Sequence, residues 1–241
     1  PGYLTRPRWD HLWFLLYLLP YGLLFAGVWK LKGRSKWPTS PISLLLLGPP
    51  LWLIFTGMLM DTIWPRTDAL FNDWGAHLQW AGLFVTGLAL ALRADAWLWM
   101  VKHRTVLLGI AMVLCAGLLI DHGFWLKGTL VPPASWISYD ILSGLYAWAV
   151  ILTICGYAAR WLNRSSPLLS YLNIAILPVY VLHQPILFLA AFAIFPLHLP
   201  LACEAALLSA ITLTGALTIY HFAIRPFAIT RFLFGLKLQR G

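Results

Sequence analysis

The sequence predicts an all-α protein built as a polytopic transmembrane helix bundle, and three observations carry that prediction. Of the 241 residues, 61% are hydrophobic and only 10% charged. A soluble domain carries about 25% charged residues, and a water-soluble fold has nowhere to bury so much Leu, Trp and Phe. Seven apolar runs are separated by short polar stretches. The basic residues gather in alternate stretches, as the loops of a membrane protein do.

The runs are Leu12–Trp29, Ile42–Met60, Leu78–Leu92, Val106–Ile120, Ile141–Ala159, Leu168–Phe195 and Leu201–Ile224. A membrane-spanning helix needs roughly 17–25 residues, and five runs reach that length unaided. The third and fourth hold 15 clearly apolar residues each, and are expected to borrow Trp74–His77 and His103–Thr105. No two-residue alternation suggests a β-barrel, and no internal repeat is evident. The whole chain, 1–241, reads as one transmembrane domain.

Alternating sides place thirteen of the 17 basic residues together: Lys30–Lys36, Arg93–Arg104, Arg160 with Arg164, and Arg225–Arg240. Arg6, Arg8, Arg66 and Lys127 fall on the other side. Positive loops stay cytoplasmic, so the N-terminus is expected outside and the C-terminus inside. This explains the net charge of +9 without a nucleic-acid partner; membrane lipid is the surrounding medium. The three cysteines, Cys115, Cys155 and Cys203, are far apart and show no metal-ligand spacing. Neither a disulfide framework nor a metal site is expected.

All acids except Asp95 lie at or near the expected outer face, Asp61, Asp73 and Asp140 among them. Two readings stand: solvated loop acids, or an outer-facing polar cleft that handles a hydroxyl-rich substrate. Asp10 and His11, in "RPRWDHLWFLLYLL", sit at the outer mouth of the first run. His11 is either an interfacial ring or part of that polar entry.

The sixth run contains "PVYVLHQPILF" at 178–188. His183 lies about 15 residues into the run, roughly 22 Å along a helix. Pro185 cannot donate to the Val181 carbonyl, nor Pro178 to that of Ile174. In hydrocarbon such groups need other partners. Asn173, Tyr180 and Gln184, spaced 7 and 4 apart, fall on nearly one helical face, flanked by His183. Either His183 is a structural ring bonded to a backbone carbonyl, or this stripe lines a cavity and touches substrate.

Four stretches, "HLWFLLYLLPYGLL" at 11–24, "NDWGAHLQWAGLFVTGLALAL" at 72–92, "LSYLNIAILPVYVLHQPILF" at 169–188 and "RPFAITRFLFGLK" at 225–237, together resemble the integral-membrane acyltransferase 3 family, closest to its glucan-modifying succinyltransferase-like branch. The resemblance implies about ten helices with both termini cytoplasmic. It implies acyl transfer from a cytoplasmic donor, acyl-CoA as co-substrate rather than a bound cofactor, to a hydroxyl of a sugar or glucan acceptor at a bacterial plasma membrane. It also implies a first helix bearing Arg and His about ten residues apart. No such pair occurs here, so the chain is expected to be either a C-terminal, seven-helix portion or a truncated product. His183 and His11 are the expected catalytic residues, with Asp10, Asn173, Tyr180 and Gln184 at the substrate. O-acylation needs a base for the hydroxyl proton, and histidine titrates in the right range. A glycan transporter or export component is the alternative. A retinal-type sensor is excluded, because Leu201–Ile224 holds no Lys for a Schiff base.

Overall fold

The structure, a computed structural model, describes residues 12–32, 41–67, 70–129 and 134–237. These residues form helices and connecting turns, with no strand among them. The helices are α1 (Trp13–Lys32), α2 (Ile42–Thr62), α3 (Trp74–Ala91), α4 (Ala94–Leu126), α5 (Ala134–Trp161), α6 (Pro167–Ile194), α7 (Leu201–Ile219) and the short α8 (Ala228–Leu233). The seven long helices match the seven apolar runs in order. Six are long and apolar enough to cross a membrane. The exception is α3, whose first turns carry His77 and Gln79. A backbone in hydrocarbon must satisfy its own hydrogen bonds, which makes each run a helix.

Two helices outgrow their apolar runs. Helix α4 has 33 residues because it takes in residues 94–105, with Lys102, His103 and Arg104, and residues 121–126. The Arg104 guanidinium donates to the Val101 carbonyl at 2.6 Å and lies over the Tyr157 ring. The His103 ring bonds the Trp99 carbonyl at 2.9 Å and stacks on the indole. Helix α5 has 28 residues and begins seven residues before its apolar run, so Asp140 lies inside the helix.

The helices separate into two compact units, α1 to α5 (Trp13–Asn163) and α6 to α8 (from Arg164). In the first unit α5 packs on both α2 and α4. Asp140, Gly144, Trp148, Leu152 and Gly156 recur every four residues and are all buried. Each step of four turns the stripe by about 40°, given 3.6 residues per turn. It therefore faces α2 at one end and α4 at the other. A Cβ on Gly144 would sit 2.8 Å from Ile54 Cγ1, and one on Gly156 would sit 2.6 Å from the Met100 carbonyl oxygen. Small residues allow such close backbone approach between membrane helices. The Trp148 indole spans the interval and donates to the Leu46 carbonyl at 3.0 Å.

In the second unit α6 packs on α7. Helix α6 runs unbroken through Pro178 and Pro185. Helix α7 passes into a π-helical turn, Tyr220–Ile224. Tyr220 and Ile224 bury themselves against Ala175. The buried Arg231 donates to the Arg225 carbonyl at 3.1 Å and, from Nε, to the Lys237 carbonyl at 3.1 Å. One side chain thus closes the 225–237 segment.

Candidate functional site

A polar cavity of about 760 Å³ lies in the first unit between the C-terminal half of α2, the start of α3 and the N-terminal half of α5. It is within the size range of small-molecule sites. Asp61, Arg66, Gln79, Trp80, Asp140 and Ser143 supply its polar and aromatic lining.

A relay of hydrogen bonds fixes one wall. Arg66 donates to Gln79 Oε1 at 3.2 Å. Gln79 Nε2 donates to Thr56 Oγ1 at 3.4 Å, and that hydroxyl donates to the Trp52 carbonyl at 2.8 Å. The amide is oriented by this network: its oxygen faces the guanidinium and its nitrogen faces the hydroxyl. The guanidinium carbon also sits 5.9 Å from the Trp80 ring centroid, within cation–π reach.

Asp140 forms the opposite wall. It lies six residues into α5, roughly 9 Å along the helix, and is 8% exposed. Its Oδ2 is buried and has no hydrogen-bond partner among the described residues. The carboxylate rests on the bare backbone of Gly57, where an added Cβ would stand 2.6 Å from Oδ1. One turn further, Gly144 brings α5 close enough to α2 for this contact. A buried carboxylate without a donor is costly, and this one borders the cavity, where water or a ligand can supply the donor. Asp61 is exposed on the same cavity.

A second polar cluster clamps α1 to α3. The Tyr17 hydroxyl donates to Asp73 Oδ2 at 2.8 Å. His77 Nε2 lies 2.5 Å from the Leu70 carbonyl, which can only accept, so Nε2 carries the proton. Nδ1 therefore accepts from the Tyr21 hydroxyl, 2.7 Å away. Both ring nitrogens are engaged, which makes His77 a strut. A smaller cavity of about 280 Å³ holds Asp121, His122 and Ser135. The Ser135 hydroxyl is buried without a partner among the described residues, and no hydrogen bond joins it to His122, so no nucleophile–base pair is formed.

The residues singled out from sequence are placed as follows. Asp10 and His11 lie outside the described residues. On α6, Tyr180, His183 and Gln184 are half-buried and Asn173 is exposed. His183 Nδ1 turns back onto the Tyr180 carbonyl one turn earlier, and the two rings lie 5.5 Å apart. His183 thus bonds its own helix through this nitrogen. The reading of the outer acids as solvated loop residues fails for two of them, because Asp73 and Asp140 are buried. At the other end of the helices, Arg93 is paired with Asp95 and Arg104 is turned onto its own helix. Lys30, Lys102 and Arg160 are exposed there.

Sequence reasoning named Asp140 only as one of several acids, and passed over Gly57 and Gly144 entirely. The signal for Asp140 was present: Ser135, Ser138, Asp140 and Ser143 fall within a run of helix-compatible residues that continues into α5. Among the described residues no group of three or more His, Cys, Asp or Glu comes together to hold a metal ion. No protein-family model matches this sequence, and no curated protein and no solved structure matches it.

Proposed function

We propose that this integral membrane protein is an O-acyltransferase, moving an acyl group from a cytoplasmic donor such as acyl-CoA to a hydroxyl of a sugar or glucan. The reading places the protein in a bacterial plasma membrane with the C-terminus cytoplasmic. The observation that carries it is the polar cavity of the first unit. Its lining combines carboxylates, an amide, a hydroxyl and the Trp80 indole, the mixture of acceptors, donors and aromatic surface that suits a hydroxyl-rich acceptor. By the charge bias, the cavity opens on the side away from the cytoplasm, where such an acceptor would arrive. The exposed Lys30, Lys102 and Arg160 lie at the opposite end and suit the phosphates of a thioester donor. The four stretches that resemble acyltransferase 3 proteins point to the same chemistry.

The test is acyl transfer by the purified full-length protein in vesicles, with a labelled acyl-CoA and a glucan acceptor. A labelled ester is expected. His183→Ala and His183→Gln, read independently of that cavity, test the expected catalytic role of His183 itself: normal membrane abundance with activity down by about 10²-fold is expected, the usual scale for an acid–base group. Glycan flux with no ester formed would overturn the reading in favour of a transporter.

A further inference from the structure

We propose that Asp140, seated on Gly57, is the direct binding group of the α2–α5 cavity, and that its ligand is an uncharged molecule bearing several hydroxyls. Three facts lead there. The carboxylate is more than nine-tenths buried, and its Oδ2 has no donor among the described residues. It borders a cavity large enough for a small ligand. Of the other polar groups on the cavity, Gln79 is committed at both ends of its amide and Ser143 donates to the Asp140 carbonyl at 3.3 Å, while Asp61 is exposed. The acceptor capacity of Asp140 is therefore what the cavity offers.

Its chemistry narrows the ligand. An ionised carboxylate only accepts hydrogen bonds, so the ligand must donate. An anion would meet Asp140 and Asp61 together and is disfavoured. A cation would compete with Arg66, which lies on the same cavity. The hydroxyls of one such molecule can donate to Asp140 and accept from Arg66, which line the same cavity, and the Trp80 face offers an apolar surface for the carbon skeleton. Gly57 is then part of the site, because any side chain there would occupy the space of the carboxylate. Naming this hydroxyl as the acyl acceptor rests on the function proposed above; the binding itself does not.

The experiment is calorimetric titration of the full-length protein, without acyl donor, in a detergent that carries no sugar. The probes are a short gluco-oligosaccharide, an alkyl glucoside, glucosamine and glucose 6-phosphate. One or both neutral glucosides should bind, and a preference between them tells a soluble source from a lipid-borne one. Asp140→Asn should weaken binding about 10-fold or more, because a charge-assisted hydrogen bond becomes a neutral one. It should not lower the thermal midpoint, since it removes an unpaired buried charge. Gly57→Ala should weaken binding similarly by displacing the carboxylate. Wild-type affinity in Asp140→Asn, no binding of either neutral glucoside, or tighter binding of glucosamine would overturn the proposal. A lowered midpoint in Asp140→Asn would overturn it too, by showing the carboxylate already satisfied within the fold. Binding that persists where no acyl transfer is found rejects the enzyme and keeps the site; transfer without binding here does the reverse.

Discussion

Gly156→Ala isolates the close backbone approach of α5 to α4 in the first unit. Two effects oppose each other. Alanine in place of glycine inside a helix gains about 1 kcal/mol. The new Cβ, however, would stand 2.6 Å from the Met100 carbonyl oxygen, 3.1 Å from its carbon and 3.2 Å from Arg104 Cβ. Two of those atoms are backbone of α4 and cannot rotate away. Restoring ordinary contact means moving α4 off α5 by close to 1 Å, where Met100, Leu107, Trp148 and Leu152 form the core. Overpacking of this kind costs about 1–3 kcal/mol, and the rigid partner puts this site at the upper end. The net loss should be about 1–2 kcal/mol, or roughly 5- to 30-fold in the folding equilibrium. Gly109→Ala is the control: it lies in the same pair of helices, and its Cβ would meet nothing within 4 Å, so it should be neutral or stabilising. The assay is reversible unfolding in mixed micelles followed by tryptophan fluorescence. A Gly156→Ala protein as stable as wild type, or a Gly109→Ala protein equally destabilised, would refute the close-packing argument.

Two further expectations concern other parts of the molecule. Tyr17→Phe removes a donor from the buried Asp73 and should cost about 1.5–3 kcal/mol, the range for a hydrogen bond to a charged group. Tyr21→Phe, which removes the donor to His77 Nδ1, should cost about 1 kcal/mol; the unfolding midpoints check both, and a reversed order would contradict the charge argument. Reporter fusions at Arg34, Asp68, Arg93 and Lys127 should read inside, outside, inside, outside if the basic loops are cytoplasmic. The same side at two successive positions would remove a span.

The number, order and approximate centres of the long helices were legible in the sequence. An apolar run of sufficient length has no other way to satisfy its backbone in hydrocarbon, so composition alone dictates the element. Helix ends were less legible. Arg104 and His103 bond their own helix, and the polar start of α5 folds as a continuation of it, so α4 and α5 extend past the apolar count. His183 was legible as a costly group in an apolar helix, but its bond to the Tyr180 carbonyl belongs to the folded helix. What only tertiary structure decided is which face of each helix meets protein. In a soluble helix the buried face is marked by its hydrophobic stripe. In a membrane helix lipid tails are as apolar as leucine, so the lipid-facing and protein-facing sides carry the same residues. Leu152, buried in the core, and the largely exposed Ile154 beside it are equivalent as sequence. Gly57, Gly144 and Gly156 look like any other small residues until α2, α4 and α5 close on them. Asp140 likewise reads as one outer acid among several, and only the approach of the Gly57 backbone makes it a buried carboxylate facing a cavity.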